Sequence, residues 1–245
     1  MAERQTHAIL LDIEGTTTPV EFVYEVLFPF ARRRVGEFLG RHQLTAEVCA
    51  DVEALKAEHR ADDEAGREPP AWLEDTAASQ VESATAYVYW LMDRDRKSTA
   101  LKSLQGKVWK DGYLSGELKG QVYADVPPAF ARWRAQRRSI HIFSSGSVLA
   151  QKLLFAHTDE GDLTVYLDGY FDTNTGAKNE RASYERIGAA LKSHSNEVLF
   201  VSDVTAELDA AREAGMGTAL CVRPGRPAPG PRGHAIVNTF DVIFP

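Results

Sequence analysis

Two carboxylates stand two residues apart at Asp12 and Glu14, two hydroxyls are adjacent at Ser144 and Ser145, an ammonium follows at Lys178, and a further acid lies at Asp203. Oxygen donors of this kind suit a hard divalent cation such as Mg²⁺. Hydroxyls and a lysine suit the oxygens of a phosphoryl group. Taken singly, each residue has a plainer use. Asp12 can close a turn, the serines can cap a following helix, Asp203 can open another, and Glu207 can be an ordinary acid of a first helical turn. The pair Asp12 and Glu14 is harder to dismiss, because two carboxylates crowded at one chain turn repel each other unless a cation binds between them.

The elements around these residues bring them together. Short apolar runs ended by turn signals occur at His7 to Ile13, Ser139 to Phe143, Glu197 to Val201 and Thr218 to Val222. Such runs read as buried strands covered on both faces. Helical patterns lie between them at Pro127 to Gln136, Val148 to His157, Arg181 to His194 and Ala206 to Gly215. The alternation predicts a parallel, doubly wound α/β sheet. In such a sheet ligands bind at the carboxyl ends of the strands, which is where Asp12, Glu14, Ser144, Ser145 and Asp203 fall.

The stretch from Pro19 to Asp125 breaks this rhythm and has no convincing strand. Val23, Leu27, Phe30 and Phe38 recur at helical spacing, as do Val81, Thr85, Val88 and Leu91, and then Leu101, Leu104 and Val108. The acidic segment Ala61 to Pro70 reads as a loop between helices. A helical insertion placed directly after the first strand is the expectation, with domain limits at 1–18 plus 126–245 for the α/β core and 19–125 for the insertion. The glycines of Leu104 to Gly120 (Gly106, Gly112, Gly116, Gly120) would each weaken a helix interior by about 1 kcal/mol, so that run is expected to be rich in turns. The Pro/Gly-rich stretch Arg223 to Gly233 reads as an extended surface segment before a strand-like Ala235 to Phe240.

Composition narrows the function classes. With 245 residues, 44% hydrophobic and 26% charged, the chain is long and apolar enough for a substantial core. Thirty-five acidic residues against 28 basic ones give a formal charge of −7, a balance that opposes nucleic acid or anionic membrane as partner. No segment is apolar enough to span a bilayer. Cys49 and Cys221 show no metal-ligand spacing and are expected to pack as small apolar residues in a reducing compartment, which points to a cytoplasmic protein. A P-loop kinase is excluded, because no GxxxxGK[ST] segment is present.

The run Asp12-Ile13-Glu14-Gly15-Thr16 resembles the DxDxT nucleophile motif of the haloacid dehalogenase superfamily. Ser144 after an apolar strand matches the second motif of that superfamily, Lys178 the third, and Ser202-Asp203 with Glu207 the fourth, in the same order. More narrowly, Asp12 to Pro19, Leu104-Gln105-Gly106 with Trp109, Gly112-Tyr113, Ser115 to Gly120, Phe143 to Ser147, Tyr170-Phe171-Asp172 and Val201-Ser202-Asp203 are similar to the enolase-phosphatases of methionine salvage. The similarity covers nearly the whole chain. Glu14, where most phosphatases of the superfamily have aspartate, agrees with the narrower family.

The resemblance implies a Rossmann-like parallel-sheet core with an inserted helical cap. It implies hydrolysis of a phosphate monoester through an aspartyl-phosphate, with Asp12 as nucleophile and Glu14 as acid and base. Ser144, Ser145 and Lys178 would hold the phosphoryl group. Mg²⁺ would be held by Asp12, Asp203 and Glu14, the last through its backbone carbonyl. The implied substrate is 2,3-diketo-5-methylthiopentyl-1-phosphate, enolised and then dephosphorylated to an acireductone, with Glu14 the candidate base for enolisation; the implied state is a monomer. A phosphatase of the same superfamily acting on another small phosphate ester is the alternative. A receiver-like module phosphorylated on Asp12 without turnover is a third reading, and Glu14 beside Asp203 and Lys178 argues against it.

Overall fold

Apolar residues on consecutive positions form strands here because both faces of the sheet are covered. The computed structural model describes residues 6–227, 230 and 232–245. Six parallel strands, β1 (Ala8–Leu11), β2 (Ser139–Phe143), β3 (Gly169–Phe171), β4 (Val198–Ser202), β5 (Gly217–Cys221) and β6 (Ala235–Val237), form one sheet in the order β3-β2-β1-β4-β5-β6. β1 lies centrally, with Leu11 level with Ile142 of β2 and Val201 of β4. All four of its residues are fully buried, which is why the strand reads as an unbroken apolar run.

Side chains alternate across a strand. Leu10, Phe143, Phe200 and Leu220 share one buried cluster with Tyr184 and Ile187 of α7 (Arg181–Leu191) and with Leu208 and Ala211 of α8 (Thr205–Glu213). The rings of Phe130 and Trp133, on α5 (Val126–Ala135), form a second packed group with Phe155 of α6 (Val148–Ala156) and with Phe240. These helices match the four patterns read between the strands. β3 was not legible as a strand: it is three residues long, half-buried and begins with glycine, so its pairing with His141–Phe143 defines it rather than any apolar run.

The chain divides into two compact units, Met1–Val23 with Lys119–Pro245, and Tyr24–Leu118. The sheet belongs to the first. The second is made of α1 (Phe28–His42), α2 (Ala46–Glu64), α3 (Ala77–Asp93) and α4 (Thr99–Ser115), with no strand among its described residues. No helix of the described residues is long and apolar enough to cross a membrane.

Three expectations are corrected. α2 continues through Ala61 to Glu64, where a loop was expected. Its acid Asp62 is buried and paired, accepting from the Tyr87 hydroxyl at 2.7 Å and from Arg67 and Arg96 at 2.5 and 2.9 Å, so this one acid anchors the end of the helix while its neighbours Asp63 and Glu64 are exposed. The segment from Leu104 is also helical as far as Ser115, and only Gly116, at φ 77°, ends it in the left-handed conformation. Gly112 is tolerated inside α4 because the site has no room for a side chain: a Cβ there would lie 2.4 Å from the Phe30 ring. Trp109, on the same helix, is buried with its indole N–H donating to the Leu27 carbonyl at 2.9 Å. Finally, Cys221 is buried but Cys49, in the first turn of α2, is exposed. In the Pro/Gly-rich stretch 223–233, residues 228, 229 and 231 lie outside the described residues.

Candidate active site

Three adjacent strands carry the site. β2, β1 and β4 are neighbours in the sheet, and Ser144, Asp12 and Asp203 each follow the last residue of one of them. Topology therefore gathers residues from three distant stretches of the chain into one row at the carboxyl edge.

After β1 the chain makes a tight loop. The backbone N–H groups of Thr16, Thr17 and Thr18 all donate to the Ile13 carbonyl at 2.9–3.1 Å, and Gly15 N–H donates to Thr18 at 2.8 Å. Gly15 adopts φ +72°, and a Cβ on it would lie 2.1 Å from Asp203 Oδ2, so only glycine lets the Asp203 carboxylate come this close to the loop. The buried Asp12 accepts through Oδ1 from its neighbour Ile13 N–H at 2.8 Å and from Lys178 Nζ at 2.5 Å. Its Oδ2 lies 3.2 Å from the Ser202 hydroxyl.

Lys178 sits in the loop between β3 and α7 and is itself buried. Its carbonyl accepts from the Tyr184 hydroxyl at 2.6 Å, and its ammonium is shared between Asp12 and Glu207, the latter at 2.8 Å. Glu207 lies in the first turn of α8, and Ser202 Oγ, 3.1 Å from its Oε2, can donate its one proton to Glu207 or to Asp12. The pairing of Lys178 with Glu207 and the place of Ser202 in it were not read from the sequence; a first-turn acid gives no sign of the partner it meets across the sheet edge.

Ser144 is buried at the end of β2, with Oγ accepting from Gly146 N–H at 3.1 Å and lying 3.5 Å from Glu14 Oε2. Ser145 beside it is exposed. Neither caps α6, because Ser147 does, accepting from Ala150 N–H at 3.3 Å. A residue that sequence reasoning passed over holds this turn: the buried Gln151 donates to the carbonyls of Gly146 and Phe171 at 2.9 and 2.8 Å, tying it to the end of β3.

Charge is unbalanced here. Asp12 and Glu207 share the Lys178 ammonium, and Glu14 and Asp203 lie near enough to feel the charges of Asp12 and Lys178. Burial, and then the neighbouring Asp12, raise the carboxyl of Glu14 above its usual range and push Asp203 up to about 6 and Glu207 up to about 7. Burial alone would lower the Lys178 ammonium, but Asp12 and Glu207 outweigh it and hold the group charged. Such a surplus of buried anions is relieved by a cation. Among the described residues no three Asp, Glu, His or Cys side chains form a ready cage. Mg²⁺ needs none, because it binds through one or two carboxylates and keeps waters. Asp12, Asp203 and the Glu14 carbonyl fit that demand.

The arrangement can do phosphoryl chemistry: a carboxylate nucleophile, a second carboxyl able to carry a proton, and donors for phosphoryl oxygens. Comparisons with known proteins agree. Residues 6–215 match the family model of haloacid dehalogenase-like hydrolases. The chain is 52% identical over 235 residues to the enolase-phosphatase E1 of Synechococcus elongatus, covering 96% of each chain. It is 45% identical over the whole of both chains to that of Sorangium cellulosum, and 44% identical to that of Salmo salar over 90% of this chain and 86% of the other. Among solved structures, the UTR4 protein of Saccharomyces cerevisiae superposes with a TM-score of 0.77 at 35% identity, covering 97% of this chain and all of the other. A dehalogenase at 17% identity and TM-score 0.53 shares the fold.

Proposed function

The chain belongs to the haloacid dehalogenase-like hydrolases and, within them, to the enolase-phosphatases, and from that premise we infer that it converts 2,3-diketo-5-methylthiopentyl-1-phosphate to the acireductone 1,2-dihydroxy-3-keto-5-methylthiopentene and phosphate in methionine salvage. It is a phosphoric monoester hydrolase. The observation that carries the site assignment is the buried Asp12 carboxylate, with one oxygen on Lys178 and Glu14 two residues along the same loop.

In this reading Asp12 attacks phosphorus while the ester P–O bond breaks, and the leaving oxygen takes a proton from Glu14. Water then attacks the phosphorus of the aspartyl-phosphate. Glu14, now a carboxylate, accepts the water's proton, and phosphate leaves Asp12. The raised carboxyl of Glu14 suits both roles, since it holds a proton more readily than an ordinary glutamate near neutral pH. In the enolisation that comes first, Glu14 takes the proton from the carbon bearing the phosphate ester, while the adjacent carbonyl oxygen receives the electron pair and gains a proton from water. It thereby acquires the proton that the ester oxygen later needs. Ser144, Ser145 and Lys178 donate to the phosphoryl oxygens, on which charge spreads as the bond breaks. Mg²⁺ bound by Asp12, Asp203 and the Glu14 carbonyl supplies positive charge against the repulsion between carboxylate and phosphate. Residues 19–125 serve as the cap. The same reading makes the protein a cytoplasmic monomer whose partner is a small phosphate ester, and the acidic balance of the chain supports the exclusion of nucleic acid and anionic membrane.

Asp12→Asn tests the nucleophile. The amide is nearly isosteric, so circular dichroism should be unchanged while phosphate release is abolished. Normal release from a folded Asp12→Asn protein would end the assignment. EDTA in excess should stop the wild-type enzyme, and an unaffected rate would remove the cation from the scheme.

A further inference from the structure

Arg223 follows β5 by two residues, at the start of a Pro/Gly-rich stretch that reads as surface, yet it is only 3% exposed. Its Nε and Nη2 both donate to the Thr16 carbonyl, at 2.9 and 2.6 Å. Its Nη1 donates to Asp125 Oδ2 at 2.6 Å. The guanidinium plane is held between two rings, 4.1 Å from the centroid of Tyr123 and 4.5 Å from that of Phe240. Asp125 is fixed in turn by Phe240 N–H at 2.6 Å and the Thr239 hydroxyl at 3.0 Å. A buried arginine is tolerated only when its donors are matched in this way, and loss of one partner strands a charge.

The matched partner that bears on chemistry is Thr16. It lies in the loop that begins at Asp12 and carries Glu14, and this loop turns back on itself through the Ile13 carbonyl. The buried Thr16 hydroxyl finds no partner, so its side chain does not anchor the loop. Two bonds from the Arg223 fork do, and Tyr123 N–H adds a third at 3.0 Å on the next carbonyl, that of Thr17. We propose that Arg223 is a positioning residue for phosphoryl transfer: by clamping the Thr16 carbonyl to the Tyr123–Asp125 segment it fixes the nucleophile loop in register with the phosphorus. Lysine cannot replace it, because a point charge does not hold a carbonyl and a carboxylate in one plane.

This inference rests on Asp12 as nucleophile, so Asp12→Asn is measured alongside. Full-length Arg223→Met and Arg223→Lys are assayed with Mg²⁺ on p-nitrophenyl phosphate, with kcat expressed per folded molecule from the amplitude of the thermal unfolding transition. The expected result is a loss of kcat on the order of 100-fold, as a displacement of about 1 Å brings, with KM unmoved. Should Arg223→Met not fold, Arg223→Lys, which keeps the charge and loses the fork, gives the reading. A wild-type kcat per folded molecule, or a loss carried by KM, overturns the proposal, and does so alone if Asp12→Asn is inactive. An active Asp12→Asn removes the group that Arg223 is said to position and overturns both.

Discussion

Asp203 carries an electrostatic load in the folded chain. Its carboxyl is pushed up to about 6 by burial and by Asp12. A raised acid opposes folding once it ionises, so the contribution of Asp203 to metal-free stability is fully present below the ordinary carboxyl pKa and is lost as pH rises through about 6. Asp203→Asn should therefore raise the metal-free melting temperature at pH 8, by an amount corresponding to about 1–2 kcal/mol, since a full two-unit shift is worth at most ~3 kcal/mol. It should also weaken the response to Mg²⁺. An unchanged or lower melting temperature would show that the carboxylate is not under electrostatic load. By the same linkage, Mg²⁺ should bind the wild-type protein more tightly as pH rises from 5.5 to 7.5, with protons released on binding; calorimetry in two buffers reads the release directly. Glu14→Asp separates two roles. If Glu14 serves both enolisation and ester cleavage, the variant should lose more on the diketo phosphate than on a substrate already enolised, and equal losses would assign enolisation to another residue. Asp12, Glu14, Ser144 and Asp203 were legible as candidates because strand ends in an α/β sheet are recognisable from apolar runs. The sharing of Lys178 between Asp12 and Glu207, and the Arg223 clamp, were not, because each joins positions that are distant in sequence and meet only on folding.

At the scale of elements, glycine in α4 marks where propensity gives way to packing. Gly112 was read as a turn signal on its helix cost of about 1 kcal/mol, yet it occupies a helix because Phe30 and Leu118 leave no space above it. Gly112→Ala tests which effect is larger. Propensity alone predicts a gain of about 1 kcal/mol, while overpacking against a buried ring costs about 1–3 kcal/mol. The melting temperature should fall, and a rise would mean that Phe30 gives way freely. The central strands were legible because burial on both faces leaves a continuous apolar run. β3 was not, because three half-buried residues carry no such pattern, and its place is set by its neighbour β2 and by Gln151 at its end.

Across the whole molecule, the order of the strands does what no local pattern does. Asp12, Ser144 and Asp203 come from three separate stretches of chain, and the adjacency of β2, β1 and β4 is what makes them one site. The helical unit Tyr24–Leu118 leaves the first stretch directly after the loop that follows β1, so the insertion falls where the chain can be interrupted without breaking a strand pairing. This assembly is an enolase-phosphatase, and such an enzyme carries out two linked reactions on one substrate. Purified protein with Mg²⁺ and 2,3-diketo-5-methylthiopentyl-1-phosphate should show an enol absorbance and free phosphate, ending in equal amounts, with the phosphate abolished in Asp12→Asn. Phosphate released without any enol product would contradict the account and leave an ordinary phosphatase.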